Sequence, residues 1–218
     1  MCDALILMPH LNHVDLQKHQ SLEDPGKPIE DVCFPLSALV SVMVSGERTG
    51  CHVEVGLFGR DGMSGTTVLL GAGQSAYDIS VAIAGTGLSL PATRFRELLE
   101  QRPTMRAHFL KYVHAAQVQM AHLALAQGHE TLQPRLARWL LMAHDRVDGD
   151  GLELTHDYLS KALGVRRAGV TLAIHYLEGY GAIRAMRGHI RILDREGLLK
   201  VAGGSYGAPE AEYDRMFD

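Results

Sequence analysis

The sequence predicts an α+β chain in three parts: an N-terminal β-roll of the jelly-roll type, one long helix, and a C-terminal winged helix-turn-helix. Three observations predict it. Residues 16–90 carry short runs in which apolar residues alternate with small or polar ones, separated by Gly-rich turns. A period of two marks half-buried strands, and several such runs in series suggest a jelly roll or another antiparallel barrel. Next, apolar or near-apolar residues recur at Phe109, Val113, Ala116, Met120, Leu123 and Gln127, in steps of four and three. That rhythm is a coiled-coil seam. Finally, Thr155–Leu177 reads as two helices around a tight turn, the pattern of a helix-turn-helix.

Composition sets the class. The chain has 218 residues, 46% hydrophobic and 21% charged, with a formal net charge of −4. These are ordinary values for a soluble globular chain with room for two modest domains. No run approaches eighteen apolar residues, so no membrane helix is expected. The first fifteen residues lack a basic segment and do not read as a signal peptide. Cys2, Cys33 and Cys51 are odd in number and form no CxxC pair, which favours a reducing cytoplasm. The twelve histidines show neither HxH nor HExxH spacing, so no metal site is read from them.

In chain order, residues 1–15 form a short helical or irregular lead-in. Pro25-Gly26 is a turn. Val40, Val42 and Val44 alternate with Ser41, Met43 and Ser45. Val53, Val55 and Leu57 alternate with Glu54 and Gly56, and Ile79, Val81 and Ile83 with Ser80, Ala82 and Ala84. Thr93–Gln101 is a short helix burying Phe95, Leu98 and Leu99. Pro103 opens the long helix. One of its stripes faces the roll, and the seam above faces a second copy. Ala115, Ala116, Ala121 and Ala124 allow close approach. Gly128-His129-Glu130 is the hinge. Thr131–Val147 is a helix burying Leu132, Leu136, Leu140, Ala143 and Trp139, the one tryptophan. The domain boundaries follow: 1–102 the roll, 103–130 the seam-bearing helix and hinge, 131–202 the winged helix-turn-helix, and 203–218 a mobile Gly-rich and acidic tail.

The helix-turn-helix has its own logic. The Thr155 hydroxyl can cap the first helix. Gly164 ends it with a left-handed residue at no steric cost. The second helix buries Val170, Ala173, Ile174 and Leu177. It leaves Arg166, Arg167, Ala168, Gly169, Thr171, Leu172 and His175 outward, small and basic at its start, as entry into a major groove requires. Two short strands follow around Arg187-Gly188, carrying Arg184, His189 and Arg191. From Thr155 to Arg195 there are seven Lys/Arg against three Asp/Glu. A basic patch on an acidic chain is the footprint of phosphate contacts.

Residues 155–193 resemble the C-terminal domain of the Crp/Fnr family of bacterial transcription regulators, through Leu159-Ser160-Lys161-Ala162-Leu163-Gly164-Val165 and then Arg166-Arg167-Ala168-Gly169-Val170-Thr171. The rest agrees in order, with Phe34-Pro35-Leu36-Ser37 and Val55–Met63 as the recognisable pieces of a cyclic-nucleotide-binding-type roll. The resemblance implies a homodimeric regulator acting on double-stranded DNA at a near-palindromic site, with RNA polymerase as a further partner and no membrane. It implies that Arg167 reads a base. It also implies an operator unlike that of the cyclic-AMP-binding members, because Ala168 and Leu172 stand where those members carry base-reading Glu and Arg.

The effector is unknown. Matching on Ser75-Ala76 puts Gln74 and Thr66 where the cyclic-AMP-binding members hold an Arg on the phosphate and a Glu on the ribose. A neutral Gln cannot make the charged fork that Arg makes. Arg60, Thr66, Gln74 and Ser75 are the effector-pocket candidates. The cysteine group that holds an iron–sulfur cluster in some Fnr-type relatives is missing. Two rivals stand beside the regulator. One is a sensing module acting on a protein partner. The other is a cupin-type metalloenzyme, for which His52-Val53-Glu54 is the faint candidate.

Overall fold

A computed structural model describes residues 3–46 and 51–217, Cys51 by its backbone alone; Cys2 lies outside the described residues. The lead-in is shorter than expected: helix α1 (Asp3–Leu7) and one turn of 3-10 helix give way to strand β1 at Asn12–Leu16. The roll then runs β2 (Ser21–Glu23), β3 (Asp31–Pro35), β4 (Leu39–Gly46), β5 (Cys51–Phe58), the short α2 (Thr66–Leu69), β6 (Asp78–Ile83) and β7 (Gly85–Pro91). Its strands form two antiparallel sheets, β1-β7-β3 and β2-β6-β4-β5. Val40, Val42, Phe58 and Ile79 pack together on one face of the second sheet. Helix α3 (Ala92–Gln101) buries Phe95, Leu98 and Leu99 against the roll, as its spacing predicts.

Strands β4 and β5 depart from simple alternation, and the departure matters. Val42 pairs with Gly56, but the next residue, Met43, pairs with Glu54. Val55 is therefore an extra residue, a β-bulge. Directly opposed residues share a face, so Leu57 (opposite Ser41) and Glu54 (opposite Met43) lie on the same side of the sheet. The sequence pattern puts them on opposite sides. The bulge turns Glu54 to the side that carries Leu39 and Leu57. Those two belong to one hydrophobic cluster with the C-terminal domain. Residues Leu39–Met43 are accordingly buried on both faces.

Helix α4 (Pro103–His129) lies along the roll, and α5 (Leu132–His144) follows. Leu136–Ala143 are buried without a break, the expectation for a helix enclosed on all sides. The C-terminal domain adds β8 (Gly151–Leu152), α6 (His156–Ala162), α7 (Arg167–Gly179), β9 (Ile183–Met186), β10 (His189–Ile192) and α8 (Arg195–Ala202). Its sheet is β8-β10-β9. The sequence pattern missed α8, which packs on α5.

The expected mobile tail is instead helix α9 (Ala208–Phe217), seated on α4. Lys111 Nζ donates to the Met216 carbonyl, His114 meets Glu212 at 2.8 Å, and the Tyr213 hydroxyl donates to the Asp61 carbonyl. The Phe217 ring sits against Tyr213 and His108. Glycines that read as flexibility are turns: Gly203 and Gly207 have φ of +58° and +110°, cheap for glycine alone.

Candidate nucleic-acid interface

The helix-turn-helix is assembled by local chemistry. Thr155 Oγ1 accepts the Tyr158 amide at 3.1 Å and caps α6. Gly164 takes φ +63° after α6. The Val165 amide closes the turn on the Ser160 carbonyl, and Arg135 of α5 donates to the Leu163 carbonyl. Val170, Ala173, Ile174 and Leu177 of α7 are buried. The hairpin is tied back to α7 because the Glu178 carboxylate accepts the Ala185 amide at 2.9 Å.

This frame fixes what faces outward. Arg166 stands at the N-cap position of α7 and Arg167 is its first residue; both are exposed with Ala168 and His175, and Leu172 is 69% exposed. Gly169 and Thr171 are half-buried, Gly169 beside Leu132. Thr171 Oγ1 donates to the Arg167 carbonyl and meets His156 at 3.1 Å. On the hairpin, Arg184 and Arg191 oppose each other across β9 and β10, and Arg187 sits at the turn. His189 is half-buried beside Gly151. Among the described residues, Arg166, Arg167, Arg184, Arg187 and Arg191 make no salt bridge. Like charges directly opposed across a hairpin destabilise it, so the facing Arg184 and Arg191 are unfavourable to each other.

The expected dimer seam is divided by the structure. Phe109 and Val113 belong to the roll's core, Phe109 packing against Phe34 and Phe95. Ala116 and Met120 face a cavity, and Leu123 and Gln127 are half-buried. The roll has taken the first two positions of the expected stripe. One residue further on runs a second heptad stripe: Ala107, Leu110, His114, Gln117, Ala121, Ala124 and Gly128, all exposed, with Leu125 beside it at 57% exposed.

The effector candidates do not converge. Arg60 pairs with Asp148 at 2.8 Å, across to the C-terminal domain. Gln74 is exposed, its backbone bridged to Pro28. The Ser75 hydroxyl bonds the backbone of Tyr77. Near Thr66, the Glu23 carboxylate takes the Gly65 amide at 2.6 Å. Glu23 is 4% exposed, and among the described residues its other oxygen accepts no hydrogen bond of good geometry. Burial raises its pKa above the usual carboxylate range. The roll thus places a carboxylate of its own beside the amide at the start of α2. A cavity of about 370 Å³ lies elsewhere, between β5, α4, the end of α5 and α9. Tyr112, Met120, Tyr213 and the Asp61–Arg146 ion pair line it.

Sequence reasoning missed a polar hub between roll and C-terminal domain. Glu54 is 3% exposed. Its Oε2 accepts from the Ser41 hydroxyl at 2.6 Å and the Tyr158 hydroxyl at 3.0 Å; its Oε1 accepts from Trp139 Nε1 at 2.6 Å. Trp139 is core, as its helical position suggests, yet its ring N–H crosses to the roll. Burial pushes the Glu54 carboxyl up to about 7, against the pull of those three donors. Among the described residues there is no group of three or more His, Cys, Asp or Glu side chains that could hold a metal ion. Cys33 is buried, and burial pushes its thiol up to about 11. No described helix is long and apolar enough to cross a membrane.

Residues 134–201 match the family model of the Crp-like helix-turn-helix domain. A search of curated proteins finds no significant match. Among solved structures the chain is similar to FixK2 from Bradyrhizobium japonicum, at 14% identity over 89% of this chain and 98% of that one, with a TM-score of 0.72. It is similar to a Crp-family transcriptional regulator from Thermus thermophilus, at 17% identity over 89% and 99%, TM-score 0.71. A second Thermus thermophilus regulator, of the Crp/Fnr family, is 23% identical over 88% and 98%, TM-score 0.63. These likenesses establish the fold, a β-roll, a long helix and a C-terminal helix-turn-helix.

Proposed function

We propose that this chain, a Crp-like helix-turn-helix domain on the fold of the Crp/Fnr regulators, is a sequence-specific DNA-binding transcription regulator rather than an enzyme. The observation that carries it is the set of exposed, unpaired arginines on α7 and the β9–β10 hairpin, inside the matched domain. An arginine without an acidic partner is free for phosphate or guanine. Arg166 and Arg167 enter the major groove with Ala168, Gly169, Thr171, Leu172 and His175 around them. Arg184, Arg187, His189 and Arg191 follow the backbone.

The working division is a sensor roll over 1–102, a dimerisation helix over 103–130 and a DNA-binding domain over 131–202. The dimer seam we propose is the outer stripe of α4, Ala107 through Gly128, since the roll already uses Phe109 and Val113. Small residues there let two helices approach closely, and a two-fold dimer places its recognition helices about one DNA turn apart, roughly 34 Å, on a near-palindromic site. The regulator acts in the cytoplasm with RNA polymerase as a further partner. Cyclic AMP is not its effector. Gln74 is neutral, and the buried Glu23 carboxyl already accepts the Gly65 amide.

Selection of genomic fragments by mobility shift tests the reading. The wild type should retain a near-palindromic subset at moderate salt, and Arg166→Ala/Arg167→Ala should retain none. Equal retention of random DNA by both proteins would refute it. Calorimetry with cyclic AMP should show no micromolar binding.

A further inference from the structure

The Glu54 hub joins two domains through one carboxylate, and its composition suggests more than a static tie. The β4–β5 bulge aims Glu54 out of the roll. One donor, Ser41, comes from the roll; the other two, Trp139 and Tyr158, come from α5 and α6 of the C-terminal domain. The Trp139 and Tyr158 rings meet edge to face at 5.8 Å. Gly164, at the turn of the helix-turn-helix, lies against Val53 of the same strand. The titratable and charged groups facing Glu54 are Tyr158 on α6 and Arg138 on α5, while β4 presents the Ser41 hydroxyl alone. Arg138 is 2% exposed, and among the described residues its Nε and one terminal nitrogen have no partner. Among the same residues no cation closes directly on the carboxylate.

We propose that Glu54 is a proton-controlled clasp between the sensor roll and the helix-turn-helix domain: the neutral carboxyl seals the interface and the anion loosens it. The neutral carboxyl satisfies the site completely. Its carbonyl oxygen still accepts from the Trp139 ring, which can only donate, and its O–H donates to the Ser41 or Tyr158 hydroxyl, each of which also accepts. The anion must give up water for three neutral donors and a distant guanidinium, and burial outweighs that gain. The sign follows. With the open state taken at the ordinary 4.5, the docked carboxyl lies at about 7. The docked state therefore holds the proton more tightly than the open state, and its advantage is complete below about 4.5 and lost as pH rises through 7. Between pH 5 and pH 8 the docking equilibrium should fall on the order of a hundredfold.

Trp139 is both the chain's one tryptophan and a partner of the clasp, so its emission and acrylamide quenching report directly. In the full-length protein, both should change across pH 5–8. Glu54→Gln mimics the neutral carboxyl, and should stay docked with both signals flat. Serving as the second variant, Ser41→Ala removes a donor that favours the anion, and should move the midpoint to higher pH. A pH response identical in wild type and Glu54→Gln would assign it to other groups, the histidines among them, and overturn the proposal. So would an unmoved midpoint in Ser41→Ala, or a flat wild type. Operator affinity should change over the same window in the wild type only. That arm rests on the DNA-binding reading; the fluorescence arms do not.

Discussion

The seam between roll and C-terminal domain handles charge differently from α7 and its hairpin. At the seam, Arg60 has Asp148, and Arg146 holds Asp61 through Nε and a second nitrogen. Glu54 has three donors. On α7 and the hairpin, the arginines point into solvent unpaired. The chain is net negative, so acids were available to pair them. The difference teaches that seam charges hold the molecule to itself, whereas those of α7 await a partner. Truncation at the seam should therefore cost stability. Truncation on α7 should leave stability within about 0.5 kcal/mol and cost binding.

The largest effect expected is on the seam. Glu54→Ala leaves the indole N–H and two hydroxyls, all buried, without an acceptor. An unsatisfied buried group costs about 1–3 kcal/mol, and loss of the carboxylate's desolvation penalty offsets part of the sum. A net loss of about 2–4 kcal/mol is expected in urea unfolding at pH 6. Arg60→Ala, breaking a half-exposed pair on the same seam, should lose no more than about 1 kcal/mol. Equal losses in the two variants would dissolve the distinction between buried hub and surface tie.

The outer stripe of α4, exposed along its length, is the dimer seam proposed above. Leu110→Glu with Ala121→Glu sets like charges across the two-fold axis and should weaken the dimer at least tenfold, about 1.4 kcal/mol, with unfolding little changed. Val113→Glu buries a charge in the roll and should unfold it instead. Light scattering and urea titration on both variants separate the cases. If the outer double variant stays a dimer of unchanged affinity, the seam is placed wrongly.

What the sequence could show follows the same division. The helix-turn-helix was legible residue by residue, because the Thr155 cap, Gly164 and the Val170–Leu177 stripe are local rules acting within one turn. The seam was not. Glu54 reads as the polar face of a strand until a bulge, set by pairing with β4, turns it over. The two heptad stripes of α4 differ by one residue, and periodicity alone cannot say which the roll will claim. Phe109 and Val113, the bulkier pair, were the available signal. Helix α9 was hidden because Gly203, Gly204 and Gly207 mask an amphipathic segment whose anchors, Tyr213 and Phe217, meet α4 far away in sequence. The empty anchors at Gln74 and Thr66 were readable, but Glu23 beside the Gly65 amide was not, since it arrives from another strand.

The finest distinction lies within the reading face itself. Arg167 lies in the first turn of α7, where a side chain can reach base edges; Arg187 sits at the hairpin turn, beside the groove. A guanidinium grips guanine through two parallel hydrogen bonds, so Arg167→Ala should cost about 1–3 kcal/mol on the operator and relax preference at one base pair. Arg187→Ala removes one phosphate contact. It should weaken operator and scrambled DNA alike and reduce the slope of log affinity against log salt by about one unit. Both variants should unfold as the wild type does, since among the described residues neither guanidinium has an acidic partner to lose. A binding series on both DNAs at several salt concentrations measures the two effects together. If Arg167→Ala weakens both DNAs equally, with the salt response of Arg187→Ala, then α7 merely holds the backbone and the sequence is read elsewhere.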